Sequence, residues 1–514
     1  MVTHAPVLAI VIPLLGAFAL PLWGKLRREL RDLWAIVVGV FTLVVALVVA
    51  VKVLGGGEVW VYTLGAASPA AAVVQGGFPI RIVLEVDALS AFMGVIALLA
   101  GIVGLVYTLQ FLREEEGKTL AMSLYLLLWA GILGLVYTGD LFNFFVFFEI
   151  TSIAACGLIG YRTWESRPPE AAFKTMVMYT LGGLLVLLAV GILYGEYDAL
   201  NIAYISSKVT GGLLDRIALG LLLGGLLMKA GAVPAHMWAP DAYGEAPPSA
   251  TILLVVNTQA AIYGLSRVVF TLFGGVLATP GVGWLIAAFG VLTIVVAALM
   301  ALVQKDLGRL IAFGAVSQLG YMLLGLGVGA ASLMTGAGFG QVALRGGIFH
   351  MINDAATVGL LFLLVGVVQR AAGTKELSRL GGLGHVLKAE GGLFLLGSLA
   401  LAGIPPLNGF ASKILIYESS FHLSPILAVL AILSSILLLA VVLRAFHSVF
   451  LGPKPSVLHV ERTQWGTILA MGTLALVIVV FGLFPGFFVK HLVDPAVQAL
   501  WAGRADYLAA VLGG

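Results

Sequence analysis

The chain has 514 residues, of which 61% are hydrophobic and only 10% charged, with a mean hydropathy of +1.09. That composition excludes a soluble globular protein of this length, and a net charge of +3 with no basic tract gives nucleic acid nothing to bind. The single cysteine, Cys156, cannot ligate an iron–sulfur cluster or build a zinc site, so no cofactor or metal is expected and any electrons must move in partner subunits.

Apolar runs of ~20 residues, the length that crosses a bilayer, recur along nearly the whole chain. About fourteen spans are predicted, at 5–23, 33–54, 88–111, 119–138, 141–161, 172–194, 213–233, 248–272, 282–303, 308–328, 342–369, 392–417, 423–451 and 466–488. The two longest are expected to be tilted or broken. The first apolar run starts at Pro6 with no basic region before it, which predicts a retained helix rather than a cleaved signal. The fold class is an all-α polytopic protein of the cell membrane, embedded in the lipid bilayer. Asn and Gln are scarce; a thermophile and ordinary lipid-facing sequence account for this equally well.

Lys and Arg bias sets the expected orientation. Placing the loop KLRRELR (25–31) inside also places Arg162, Arg167, Lys174, Lys305, Arg309, Lys375, Arg379, Lys454 and Arg462 inside. Both termini then lie outside. After the last span, residues 490–514 read either as a short interfacial helix anchored by Trp501 and Tyr507 or as a fraying tail.

Two spans carry proline at membrane depth, in KAGAVPAHMWAPDAYGEAPP (229–248) and LAGIPPLNGFASK (401–413). Both contain Ala-Gly followed closely by a branched hydrophobic residue and proline: Ala-Gly-Ala-Val-Pro from Ala230 to Pro234, and Ala-Gly-Ile-Pro from Ala402 to Pro405 with Ile404 as the hydrophobic residue. They are the seventh and twelfth spans, five apart, so they cross in opposite directions, as an inverted repeat requires. The expected organisation is residues 1–118 as N-terminal helices, 119–272 as a first five-helix repeat, 282–452 as a second, and 453–514 as a last helix and tail. A helix broken at that depth exposes polar backbone and persists only beside protein or a wet cavity.

Five ionisable residues interrupt the apolar spans: Glu149, Lys229, His350, Asp354 and Lys413. Each costs at least ~2.5 kcal/mol on insertion scales, so five point to function. His350 and Asp354 are four apart and share a helix face, within hydrogen-bonding reach of each other. Glu149 and Lys229 have opposite charge and stabilise one another if adjacent. Ser317, Gln318, Thr251, Asn257, Thr258 and Gln259 are candidates to line a polar path between them. The chemistry these residues suit is passage of a proton or cation near the membrane midplane. GAGFG (336–340) lacks the strand–helix setting of a dinucleotide fingerprint, which argues against a catalytic redox role.

At these residues a family resemblance appears. DLFNFFVFFEI (140–150) resembles the fifth span of the antiporter-like subunits of respiratory complex I and of Mrp cation/proton antiporters. LMKAGAVPAHMWAPDAYGEAPPSA (227–250) resembles their broken seventh helix, and QKDLGRLIAFGAVSQLGYMLLGLG (304–327) their tenth. SLALAGIPPLNGFASKILIY (398–417) is similar to the twelfth, in its Mrp D-type form. The resemblance implies inverted repeats, a hydrophilic axis through the membrane centre, Glu149 with Lys229 as an input pair, and Lys413 as the exit lysine. It also implies neighbours: other membrane subunits, antiporter-like ones among them. Related subunits occur in membrane-bound hydrogenases and sulfur-reductase complexes, where iron–sulfur subunits carry the redox chemistry.

The chain departs from that pattern at Gln259 and Val358, where the family often has lysine, and at Asp354, where it often has a second histidine. Two functions follow as expectations. One is a subunit that translocates H⁺, or exchanges Na⁺ for H⁺, within a redox-driven complex or a free-standing Mrp antiporter. The other is a structural subunit that keeps the fold with a non-conducting relay.

Overall fold

The computed structural model describes residues 2–65, 82–112, 117–453 and 463–513. Lys454 and Arg462, expected inside, lie outside the described residues.

The helices begin with α1 Ala5–Leu26, α2 Arg28–Gly56, α3 Ala88–Phe111, α4 Lys118–Tyr137, α5 Leu141–Ile159 and α6 Arg167–Tyr197. The seventh predicted span is two helices, α7 Leu213–Ala230 and α8 Trp238–Glu245. Then come α9 Pro248–Ser266, α10 Pro280–Leu302, α11 Leu307–Leu333 and α12 Gly338–Ala372. The twelfth span is again divided, into α13 Lys388–Ala402 and α14 Asn408–Leu423. The chain continues through α15 Pro425–Phe450, α16 Trp465–Leu483, α17 Asp494–Trp501 and α18 Arg504–Leu512. Among the described residues, 12 helical segments are singly long and apolar enough to cross a membrane. The two longest predicted spans are not broken: α12 and α15 each run without interruption.

The two breaks are built alike. α7 ends at Gly231, with φ 79°, and Ala232 N–H donates to Leu227 O. α13 ends at Gly403, with φ 80°, and Ile404 N–H donates to Leu399 O. Both are Schellman caps, in which a left-handed glycine turns the chain and spares the last carbonyls. Cis prolyl bonds follow at Val233–Pro234 and Pro405–Pro406.

The fold is mostly helical, as expected, but not wholly. Strands β1 Trp60–Leu64 and β2 Ile82–Val86 form an antiparallel hairpin, with Val61 opposite Glu85. The run IVLEV (82–86), rich in β-branched residues, favours a strand, and Leu84 bridges Thr138 beside it. The hairpin marks one end of the bundle. Arg162, Arg167, Lys174, Lys305, Arg309, Lys375 and Arg379 gather at the opposite, basic end. There Lys174 and Arg309 both grip Asp241 of α8, each at 2.8 Å.

The most apolar windows of the α9 span, α11 and α12 are wholly buried, whereas those of α1, α2, α6, α10, α15 and α16 are half buried or less. The central three helices therefore see protein on every side, and the polar side chains they carry are shielded from lipid. Gly290 and Gly320 let α10 and α11 touch nearly backbone to backbone, since a Cβ on Gly320 would lie 2.7 Å from Gly290 O. Such approach is the usual basis of helix packing in lipid.

Candidate functional site

The four inner ionisable residues are buried: Lys229 is 0% exposed, Lys413 1%, His350 2% and Asp354 4%. Glu149 is half-buried at the edge of the first half of the bundle.

Lys229 lies in the last turn of α7, where the helix dipole favours a cation. Its ammonium donates to Phe148 O at 2.5 Å, Thr151 Oγ1 at 2.7 Å and Ser152 Oγ at 2.9 Å. All three of its donors are thus met by α5. The same nitrogen sits 3.7 Å from the Phe148 ring and 5.0 Å from that of Tyr179. Glu149 and Lys229, expected to stabilise one another if adjacent, form no direct ion pair. Phe148, Thr151 and Ser152 share one face of α5 at intervals of three and four, while Glu149 is turned ~100° from Phe148. Glu149 instead abuts Gly183 of α6, and its Oε1 is buried without a partner. The two charges still act on each other through space.

Beyond Lys229 the polar side chains run along α9. Asn257 Nδ2 donates to Tyr179 OH at 3.5 Å, and Tyr243 OH donates to Thr258 Oγ1 at 3.1 Å. Gln259 Nε2 donates to Asp354 Oδ2 at 3.0 Å, joining α9 to α12. Thr251 is also buried here, bonded to Pro247 O.

His350 and Asp354 do not bond to each other as expected, because each has a partner on a different neighbour. The His350 imidazole contacts Ser412 Oγ at 2.9 Å through Nδ1 and Gln318 Oε1 at 3.2 Å through Nε2. Asn353 Nδ2 donates to Ser412 Oγ and to Asn408 O, tying α12 to the start of α14. Ser317 bonds Ile294 O, turned toward α10.

Lys413 closes the row. It donates to Leu401 O at 2.8 Å, a terminal carbonyl of α13, and to Ser435 Oγ at 3.1 Å, and lies 4.4 Å from the Tyr321 ring. Tyr321 and Tyr417 both donate to Ser435. Lys413 acts electrostatically on Asp354 and on His350. The charged groups are thus spread over both halves, with hydroxyl and amide side chains standing between them.

Several members of this row escape sequence reasoning. Tyr179, Tyr243, Tyr321 and Tyr417 look like ordinary aromatic packing, and Ser412 and Ser435 like small helix-contact residues. The one usable signal is the Asn408–Ser412 spacing of four, which places both on the face of α14 toward α12.

At the basic end a cavity of about 790 Å³ opens between Glu165, Arg167, Glu245, Lys305, Asp306 and Lys375, among others. Lys375 donates to Gly244 O at 2.5 Å and stands 3.7 Å from Glu245. Among the described residues no group of three or more His, Cys, Asp or Glu is disposed to hold a metal ion.

A helical membrane bundle with two broken helices and an internal row of acids, bases and hydroxyls defines an antiporter-like membrane component. Comparison with known proteins agrees. A family model described as NADH:quinone oxidoreductase/Mrp antiporter, TM, matches residues 138–438, and the chain belongs to that family. It is 31% identical to the N subunit of the NADH-quinone oxidoreductase of Desulforudis audaxviator, over 80% of this chain and 79% of that protein. It is 29% identical to the A-type subunit of the Na(+)/H(+) antiporter of Alkalihalophilus pseudofirmus over 96% of this chain, and spans 62% of that relative's length. Among solved structures, a chain of the membrane-bound sulfane sulfur reductase, an archaeal respiratory membrane complex, superposes with a TM-score of 0.89 at 27% identity, covering 99% of this chain and 100% of that one. A chain of the Mrp complex from Dietzia sp. DQ12-45-1b has the same fold, with a TM-score of 0.85 at 24% identity over 100% of this chain and 99% of that one.

Proposed function

We propose that the protein translocates protons, alone or in exchange for Na⁺, along the axis Glu149–Lys229–Gln259–Asp354–His350–Lys413. The observation that carries this reading is the burial of four ionisable groups in one row, each bonded to hydroxyl, amide or carbonyl groups rather than to a fixed counter-ion. A lysine held by neutral acceptors can give up its proton without leaving a bare carboxylate behind. Motion of Glu149 relative to Lys229 changes the field at the ammonium. The charge then passes along α9 and α12 toward Lys413, with water completing the line where side chains do not meet. The axis runs between residues 119–272 and 282–452, which we read as two inverted repeats.

In this reading the protein is one membrane component of a larger complex in the cell membrane, with both termini outside. The likenesses to the sulfane sulfur reductase and to the quinone oxidoreductase favour a redox-driven complex whose iron–sulfur subunits supply the energy. The likeness to the Na(+)/H(+) antiporter keeps an exchanger of the Mrp type as the other setting.

Flux in proteoliposomes holding the intact complex tests the proposal. Glu149→Gln and Lys229→Ala should each lower ion-coupled flux by roughly tenfold or more. Gln259 and Val358, neither of which titrates, favour the opposing reading of a packing subunit with a dead relay. Wild-type flux in both variants would establish that reading instead.

A further inference from the structure

The polar row on α9 does not end at Gln259. Tyr263 and Arg267 follow at intervals of four, so the three side chains lie along one face, spanning ~12 Å toward the hairpin end at the usual helical rise. Just there the helix changes register, with residues Arg267–Leu272 forming a π-helical turn; such turns are frequent at functional sites.

Arg267, 4% exposed, is held from several sides. It forms an ion pair with Asp87, the N-cap of α3. It donates to Ser90 Oγ at 3.0 Å and to Tyr263 OH at 3.1 Å. Its guanidinium is 5.2 Å from the Tyr263 ring and 4.9 Å from that of Tyr507, on the C-terminal helix α18. Tyr263 OH and Ser90 Oγ share a hydrogen bond of 2.8 Å. Tyr263 OH itself donates to Val136 O at 2.8 Å, so Ser90 is the donor of the pair here; both are hydroxyls, and rotation of the Tyr263 O–H away from Val136 would let a proton be handed across.

Beside Arg267 and Asp87 lies Glu85 of β2. It is 0% exposed, and neither carboxylate oxygen has a hydrogen-bond partner of acceptable geometry. Gly139 presses on one side, where a Cβ would come within 2.7 Å of Oε2. The Tyr507 phenol lies on another, poised to donate. Asp87 Oδ2 and the Tyr137 hydroxyl are also buried and unpartnered. The groups facing the cluster are Asp87, Arg267, Tyr137, Tyr263 and Tyr507, with Asp140 following Gly139 and Arg504 one turn before Tyr507 on α18. Two carboxylates, Glu85 and Asp87, face one guanidinium. The cluster is one positive charge short unless Glu85 is neutral. Burial pushes the Glu85 carboxyl well above its ordinary range, an effect that Arg267 opposes only in part.

We propose that Glu85 is a proton-holding site at the hairpin end, reached from Asp354 along the α9 face of Gln259 and Tyr263 and past Ser90, with water completing the steps where these side chains do not meet, so that the relay has a second outlet beneath α18. This rests on Asp354 being a member of the relay. In the transfer the neutral Glu85 carboxyl first releases its proton at the hairpin end, and the carboxylate so formed is then reprotonated as the Asp354 carboxyl loses one; Arg267 and Asp87 hold the field and do not exchange.

The test uses the intact complex in proteoliposomes. Infrared difference spectra on stepping the pH should show the carbonyl stretch of a buried, protonated carboxylic acid, and that band should vanish in Glu85→Gln. The same variant, a neutral isostere that spares the packing, should lower proton flux several-fold. Tyr263→Phe should lower flux while keeping the band. A spectrum of Glu85→Gln identical to wild type overturns the proposal, and so does unchanged flux once the band is gone. The band is read without turnover, so it tests the protonation of Glu85 whatever Lys229→Ala does to flux.

Discussion

Position around one helix decides what each carboxylate of α5 can do. Glu149 is kept from Lys229 by the pitch of the helix and seated against Gly183. A methyl at Gly183 would collide with Glu149 Oε1, so Gly183→Ala should displace the glutamate and lower flux, with the Lys229 ligands on α5 untouched. Asp140, at the start of the same helix, accepts from Asn143 N–H at 2.8 Å as its N-cap. Burial moves its carboxyl from 3.8 up to about 7, against the pull of the Asn143 and Phe142 amides. The folded state therefore holds this proton more tightly than the unfolded chain does. The stabilisation is complete below about pH 4 and declines as pH rises to about 7. Asp140→Asn keeps a capping oxygen and should remove this part of the slope of melting temperature against pH, measured on the solubilised complex. An unchanged slope would show that Asp140 does not titrate in that window.

Among elements, the two breaks were the most legible feature of the sequence, because a cap needs particular residues. An Ala-Gly pair with glycine at φ near 80° and a proline three residues after it stands at each break, as Ala-Gly-Ala-Val-Pro and Ala-Gly-Ile-Pro-Pro. Gly403→Ala should cost about 1–2 kcal/mol from the left-handed backbone alone. It should also disturb transport, because the new Cβ would lie 2.9 Å from Lys413 Cδ. Thermal unfolding together with flux would show both effects. Charges in apolar runs stand out, so all five candidate residues were legible too. Their partners were not: which neighbour a side chain meets depends on rotation about the helix and on residues far away in sequence. Asp87 and Arg267 are the clearest case, 180 positions apart. Arg267 lies inside the predicted span 248–272, five residues from its end, and passes for a cation at the membrane boundary until the fold brings an acid to it.

Across the whole molecule, the C-terminal segment reaches from one half of the bundle to the other. Arg345 of α12 pairs with Asp494 at 2.6 Å, and Arg504 donates to Thr271 O at 3.2 Å and Ser206 O at 2.8 Å. Tyr507, expected to anchor at a membrane interface, is instead buried on Arg267, because the hairpin end offers it a cation and an enclosed acid. A half-exposed ion pair is worth at most ~1 kcal/mol, whereas Arg504 satisfies buried carbonyls. Arg504→Ala should therefore speed hydrogen exchange in residues 494–512 more than Asp494→Ala does; the reverse order would mean that α12 is the firmer mooring. The two buried lysines also sit on opposite sides of their breaks: Lys229 precedes its break and is gripped by α5, whereas Lys413 follows its break and grips α13. Sliding of α5 past α7 would strip the first lysine of its ligands and leave the second untouched, while flexing of the α13–α14 joint would do the opposite. The protein thus carries two strain gauges of different kinds, one for shear between neighbouring rods and one for the bending of a single rod.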